Sequence, residues 1–563
     1  MIRFTNIILP LDHGPDDLEK AVAARMPKGH VGALKGFRVF RRGHDPRKRG
    51  DVKLVYTVDC DVQGEEAILA ALAAERQGGN KQALATRTPV VDWNPPRAAL
   101  AGRRRPVVVG AGPCGLMAAL VLARAGLKPI VLERGCDVRS RTKDTFALWR
   151  QSRFTPESNV QFGEGGAGTF SDGKLHSGVA DPRHLGRIVL EELVKAGAPE
   201  EIMWLSKPHI GTFRLVTVVQ NLRAEIEALG GEYRFNTRLD GILTEGEGAE
   251  RHLVGLKLHQ AYPGTDRPAV EEVLPCDHAV LAVGHSARDT FAMLHEAGVA
   301  MHTKPFSVGV RIEHPQSMID EVRFGPQAGH EKLGAADYKL VHHASTGRGV
   351  YSFCMCPGGQ VVAATSEPEQ VVTNGMSQYS RAERNANSGM VVEVKPGVDF
   401  PDNPMAAIEF QRQLEKAAFK AGGGDYKAPA QLVGDFLTKR PSTTLGAVKP
   451  SYQPGVTPTD LASCLPPVVV ESLREALPAF ARKIPGFARE DAVMTGVETR
   501  TSSPLRLPRD EEGVRAGQSP SVQGLYPAGE GAGYAGGILS AAIDGLQAGE
   551  RVAAGYSAEP RQA

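Results

Sequence analysis

One stretch limits what this chain can fold into more than any other: RPVVVGAGPCGLMAALVLARAGLKPIVLERG, residues 105–135. The apolar run Val107–Val109 reads as a buried strand. It enters Gly110, Gly112 and Gly115 at G-x-G-x-x-G spacing, and a helical pattern and a second apolar run ending at Glu133 follow. In such a strand–turn–helix the first glycine allows the tight turn, the second admits a pyrophosphate and the third lets helix and strand pack closely. The helix N-terminus offers free amides and a partial positive charge to an anion. Pro113 and Cys114 open that helix, and Glu133 can accept hydrogen bonds from ribose hydroxyls. An acid here fits FAD or NAD and disfavours a 2′-phosphate.

The chain has 563 residues, more than one core of about 250–300 residues accommodates, so several domains are expected. Hydrophobic residues make up 42% and charged residues 23%, the composition of a globular protein. Its 63 glycines exceed the usual ~7% share and show no collagen period. The net charge is +2, but residues 1–105 hold 19 Lys and Arg against 12 Asp and Glu. The basic surplus therefore lies at the N-terminus. The seven cysteines include no CxxC or zinc-like spacing, so no metal and no secreted disulfide framework are expected. No leader-like apolar core or 18-residue apolar run is visible, which predicts a cytoplasmic location.

Residues 1–90 read as a small α+β unit of ferredoxin-like type, in βαββα order. Its basic stretch Arg41–Gly50 is either a solvated hairpin loop or a site for an anionic partner such as RNA or an acidic protein surface. Residues 91–105 form a linker. Residues 106–300 read as the first part of an α/β, Rossmann-like dinucleotide-binding domain. Residues 301–490, rich in strand-like runs, read as an inserted β-rich substrate or cap domain. Residues 491–563 return to the nucleotide fold.

The sequence GLYPAGEGAGYAGGILSAAIDGLQAG, residues 524–549, supplies a second strand, glycine turn and helix. It resembles the C-terminal FAD motif of the glutathione-reductase-like flavoprotein superfamily. The resemblance gives Gly529, Glu530, Gly536, Gly537 and Ile538 cofactor-binding roles, with Glu530 standing where that superfamily more often has Asp. The strand-turn at Gly284 is similar to another element of such proteins. The loop carrying Gly165, Gly166, Gly168 and Thr169 either lays backbone against the cofactor or is merely flexible. Arg134 and Arg141, with Arg139 and Lys143, offer charge to the FAD phosphates.

Across nearly its whole length the chain resembles a bacterial family of uncharacterised FAD-dependent dehydrogenases. VKLVYTVDCDV, ERGCDVRSRTKDTFALW, PESNVQFGEGGAGTFSDGKL, SKPHIGTFRLV, FCMCPGGQVV, NANSGMVVEV, TRTSSPLR and YPAGEGAGYAGGILSAA carry the resemblance. It implies an FAD-binding fold with an inserted substrate domain and an appended N-terminal unit, and it names no substrate.

The chemistry candidates are Cys354, Cys356 and His314. Cys354 and Cys356 are expected on one face of a strand, as a redox-active thiol, pocket liners or small buried hydrophobes; a disulfide across C-x-C would be strained and labile rather than structural. His314 could act as an acid or base. Arg311 and Glu313 share a strand face and are expected to pair with each other. Arg500 and Arg506 could bind a phosphate or carboxylate or serve in structural ion pairs, and KRPSTTLG (Lys439–Gly446) is equally open. The expected function is an FAD-dependent dehydrogenase or reductase, with a flavin monooxygenase or a binding flavoprotein of little turnover as alternatives. No second nucleotide motif is evident, so electrons come from a transiently docked NAD(P)H, the substrate or a protein donor.

Overall fold

The computed structural model describes residues 1–77, 79 and 84–557. The N-terminal unit contains β1 (Ile2–Pro10), α1 (Asp17–Ala23), β2 (Leu34–Asp45), β3 (Lys53–Val62), α2 (Glu65–Gln77) and β4 (Ala85–Arg87). Its sheet runs β2-β3-β1-β4 with antiparallel neighbours, one strand more than the sequence pattern suggests. Alternation along β1, offset by a register shift between Phe4 and Ile7, buries Ile2, Phe4, Ile7 and Leu9.

The β2–β3 hairpin does not project freely from the body. Arg42 lies over the Trp204 ring at 4.5 Å, and its amide donates to the Trp204 carbonyl. The Val52 amide donates to Gln327 Oε1 at 2.7 Å. Within the hairpin, Arg47 pairs with Asp45, and Lys48 pairs with Asp51. The residues between this unit and the next strand are tied down as well. Arg104 pairs with Asp277, and Arg105 pairs with Glu232.

The second unit is built on a parallel sheet ordered β22-β11-β5-β6-β7. These strands are β5 (Val107–Val109), β6 (Ile130–Leu132), β7 (Glu232–Arg234), β11 (Ala279–Leu281) and β22 (Leu525–Pro527). Its helices are α3 (Pro113–Arg124), α4 (Val138–Gln151), α5 (Leu185–Lys195), α6 (Thr212–Ala228), α7 (Arg288–Glu296) and α12 (Ile538–Ser557). A three-stranded antiparallel sheet, β8 (Thr237–Glu245), β9 (His252–Gln260) and β10 (Val270–Pro275), accompanies it. The helices α3 and α12 touch closely because glycines face the contact. A Cβ on Gly545 would fall 2.1 Å from the Cys114 carbonyl oxygen.

Between β11 and β22 the chain builds a large mixed sheet ordered β14-β15-β17-β13-β20-β18-β19, with β16 paired to β15. Its strands are β13 (Phe306–Pro315), β14 (Val341–His343), β15 (Gly349–Ala363), β16 (Thr373–Met376), β17 (Asn385–Val394), β18 (Ala428–Leu432), β19 (Val456–Pro458) and β20 (Val493–Glu498). The helices α8 (Gln316–Phe324), α9 (Pro404–Gly422), α10 (Val433–Leu437) and α11 (Pro467–Ala481) cover it. A short ribbon of β12 (His302–Thr303) and β21 (Leu505–Arg506) joins this region to the parallel sheet. The β13 strand is central, and every residue from Phe306 to His314 is buried. Apolar Val308, Val310 and Ile312 alternate along it with Ser307, Gly309, Arg311 and Glu313, and both sets are buried. Among the described residues no helix is long and apolar enough to cross a membrane.

Candidate functional site

A cavity of about 360 Å³ runs where the parallel sheet meets the large mixed sheet. Gly110, Gly112, Pro113 and Cys114 from the β5–α3 turn line it, as do Glu133 and Arg134 after β6. Gly166 and Gly168, Gly284, and Gly529, Glu530, Gly536, Gly537 and Ile538 complete the part that the sequence singles out. Four strand ends, one glycine loop and the α12 N-terminus therefore converge on one space, at the carboxyl ends of parallel strands where α/β folds bind ligands.

The α3 N-terminus carries no side-chain cap, so its first amides remain available to an anion. Gly115 does not reach the cavity; it packs behind the turn, where a Cβ would lie 1.8 Å from the Gly110 carbonyl oxygen. Gly166 has φ 62°, and a Cβ there would lie 2.9 Å from Gly112 Cα. Bare backbone on both sides leaves a cradle that side chains would fill. Glu133 is 5% exposed and accepts from the amides of Ala111, Gly135 and Gly163, each at 2.9 Å. Those amides hold its carboxylate at the end of β6, where Glu133 borders the cavity.

Some of the expected ligands prove to be scaffold. Arg141 is fully buried and does not line the cavity. Its guanidinium donates to the carbonyls of Asn159, Val160, Gly163 and Glu164 at 2.6–3.2 Å, fixing the glycine loop from behind. Gly165 and Thr169 also face away from it, into a small apolar pocket beside α6. Arg134 lines the cavity but is paired with Asp289 and Glu157.

His314 is fully buried, off the cavity, with Nε2 at 2.7 Å from the Phe487 carbonyl and its ring against that of Phe487. Burial pushes it down to about 4, so it sits as a neutral core histidine. The anticipated Arg311–Glu313 pair does not form. Arg311 pairs with Glu498 at 2.9 Å, whereas Glu313 accepts from Ser451 and Asn385. Arg506 stacks over Tyr534, and in the KRPSTTLG loop Arg440 pairs with Asp435.

The two cysteines are separated by function of place. Cys354 lines the cavity, while Cys356 is fully buried behind it. The expected common strand face is broken because the β15–β17 register shifts between Phe353 and Cys356. Cys354 adopts φ 42° within that irregularity.

Several cavity residues escape sequence reasoning. Lys174 donates to the Met355 carbonyl and stands 3.4 Å from Asp172, which is itself paired with Arg381. Gln161 accepts from Ser286, and Thr237 and Arg238 border Glu133. Lys174 and Gln161 lie inside a motif recognised for its glycines, and only that proximity pointed to them. Arg500 lines the cavity with its Nη1 at 3.1 Å from Ser286 Oγ and is neutralised by Glu415. Glu530 stands 3.9 Å from His285 Nε2. Burial pushes its carboxyl up to about 7, against the counteracting charge of Lys304. Burial pushes His285 the other way, to about 3, helped by Arg500 and Arg288.

Comparison with known proteins agrees with this geometry. Residues 105–145 match an FAD binding domain, and residues 305–501 match a family described as FAD-dependent protein, C-terminal domain-like. A Clostridium beijerinckii protein described as uncharacterized is 46% identical over 558 residues, covering 98% of each chain. The chain belongs to this family of FAD-dependent proteins. Its cofactor is FAD, and the cradle between Gly112 and Gly166, the uncapped α3 N-terminus and the fixed Glu133 carboxylate fit that group.

Among solved structures, an anhydrotetracycline hydroxylase from Streptomyces rimosus is 13% identical, with 80% of this chain and 62% of that chain covered and a TM-score of 0.31. A glycerol-3-phosphate dehydrogenase from Bacillus halodurans, complexed with FAD, is 12% identical, with 80% and 64% covered and a TM-score of 0.34.

Proposed function

We propose that this flavoprotein is an FAD-dependent oxidoreductase of dehydrogenase or reductase type, within the glutathione-reductase-like superfamily. One observation carries the reading: the inserted sheet reaches into the FAD cavity with Phe353, Cys354 and Asn374, giving the cofactor space a second wall made by another domain. A storage or purely structural flavin needs no such wall, whereas a substrate needs a surface that selects it.

Bound FAD supplies two-electron exchange with a substrate. The protein's own residues bind, orient and hold protons. The α3 amides and Glu133 take the pyrophosphate and ribose. The α12 N-terminus, opening at Ile538, favours negative charge on a group beside it. Glu530 holds a proton near neutral pH at the same wall. Arg500, seated on Glu415, orients Ser286 and Ser366.

The N-terminal unit, docked through Arg42 and Val52, supports a structural role in preference to capture of a free anionic partner. The experiment is anaerobic mixing of the FAD-loaded protein with candidate donors, NADH and NADPH included, followed by mixing of the reduced protein with oxygen. Bleaching of flavin absorbance near ~450 nm by a donor supports the reading. A transient oxygen adduct ahead of reoxidation would favour the monooxygenase alternative. A flavin that no reductant bleaches would refute both.

A further inference from the structure

We propose that Cys354 and Cys356 form a two-electron thiol–disulfide couple that exchanges electrons with the FAD held in the adjoining cavity. The inference rests on the oxidoreductase reading above and adds a second redox centre to it.

The backbone places the pair. Regular pairing between β15 and β17 is interrupted from Phe353 to Cys356, and Cys354 takes a left-handed conformation there. Such a conformation is costly for a residue with a Cβ and persists where the surrounding structure imposes it. Its consequence is that Cys354 lines the same cavity as Gly529, Glu530 and Ile538. Cys356 stays buried behind it, and its thiol donates to the Cys354 carbonyl at 3.3 Å. Cys354 therefore borders the cofactor space, and the Cys356 thiol is held against the Cys354 backbone.

The charges suit a thiolate at the presented position. Arg311 donates to the Cys354 carbonyl at 3.0 Å, and Lys174 donates to the Met355 carbonyl. The neighbouring Cys356 side chain holds the Cys354 thiol well below its ordinary range, and Lys174 and Arg311 add to the effect. Cys356 moves upward as the proton-bearing partner. The other five cysteines are all pushed up, chiefly by burial, and remain thiols. A thiolate beside a thiol is the arrangement that thiol–disulfide chemistry requires.

The step balances with FAD as the oxidant. The Cys354 thiolate and the Cys356 thiol lose two electrons and one proton as the S–S bond forms. Oxidised flavin takes up both electrons and that proton, becoming the anionic reduced form. The reverse step reduces the disulfide and returns the flavin to its oxidised state.

The test is an anaerobic dithionite titration of the air-oxidised, FAD-loaded protein, with thiols counted after denaturation before and after reduction. The expected result is uptake of four electrons per chain and two more titratable thiols after reduction. Cys354→Ser and Cys356→Ser are each expected to take up two electrons with no change in thiol count. The wild-type thiol count keeps the test decisive if a variant fails to fold. Wild-type uptake of two electrons, with the same thiol count before and after, overturns the couple and leaves the flavin reading intact. A flavin that stays oxidised overturns both.

Discussion

Arg500 and Glu415 meet at 2.7 Å with essentially no exposure of either side chain, directly behind the wall of the FAD cavity. Arg288 pairs with the same carboxylate at 2.7 Å and with Glu367 at 2.6 Å. Arg288 belongs to α7 of the nucleotide unit, Glu415 to α9 of the inserted unit, and Arg500 to the segment that follows β20. One buried carboxylate thus joins three elements where the two domains share the site. Its two cations hold Glu415 well below the usual carboxylate range, despite a burial that opposes ionisation.

Removing that carboxylate leaves two guanidinium groups buried without their shared partner. Glu415→Gln is predicted to cost about 3–5 kcal/mol, the range for breaking a buried ion pair from one side. Urea unfolding of the FAD-free protein measures this directly. FAD affinity is predicted to fall as well, because Arg500 loses the group that seats it against Ser286. A loss below about 1 kcal/mol would show that water or a neighbouring acid compensates.

Replacing Gly115 by Ala places a Cβ against the Gly110 carbonyl, a contact that only backbone movement relieves. The expected loss is at least about 3 kcal/mol, the upper part of the usual overpacking range. It is predicted to abolish FAD retention together with cooperative unfolding. Gel filtration and flavin release after mild heating report the two effects separately.

The nucleotide half of the site was legible because each residue there acts through its immediate neighbours in sequence. Strand, turn and helix follow one another, so G-x-G-x-x-G and Glu133 declare both position and task. Arg141 was misread because an arginine near a phosphate site and an arginine bonded to four carbonyls look alike in one dimension. His314 was misread because β13 is buried on both faces, which leaves a polar residue in it no route to a cavity. Arg311 and Glu313 were expected to pair across one turn of alternation, but Glu498 on β20 and Ser451 compete through tertiary contact. Lys174 had no local signature at all, since its partner at Met355 lies 181 residues away. The order of N-terminal elements along the chain was readable up to α2, and β4 was missed because three residues give too short a pattern.

Arg141→Met is predicted to loosen the Gly163–Glu164 loop and weaken FAD binding by at least tenfold while leaving the parallel sheet intact. Each abandoned buried carbonyl costs about 1–3 kcal/mol where water does not replace the donor. Flavin fluorescence on titration measures the affinity, and near-UV circular dichroism checks the core. Unchanged affinity would return Arg141 to a purely structural role remote from the cofactor.

Glu530 gives a pH signature. Its carboxyl titrates at about 7 in the folded FAD-free protein, against 4.5 ordinarily. Below the lower value both folded and unfolded chains are protonated, and the burial of Glu530 carries no charge penalty. As pH rises through this window the unfolded chain releases the proton first, so this group's share of stability declines until it titrates in the fold. Thermal unfolding at about pH 5 and about pH 8 is predicted to show a fall that Glu530→Gln removes. An unchanged slope in the variant would assign the pH dependence to other groups.

Every role assigned around the cavity follows from FAD lying between Gly112 and Gly166, against the α3 N-terminus. Calorimetric titration of the FAD-stripped protein with FAD, in wild type and in Gly112→Trp, tests this directly. The expected result is one FAD per wild-type chain and no detectable binding to the variant, with the same far-UV circular dichroism for both. Equal binding to both proteins, or none to a folded wild type, would contradict it.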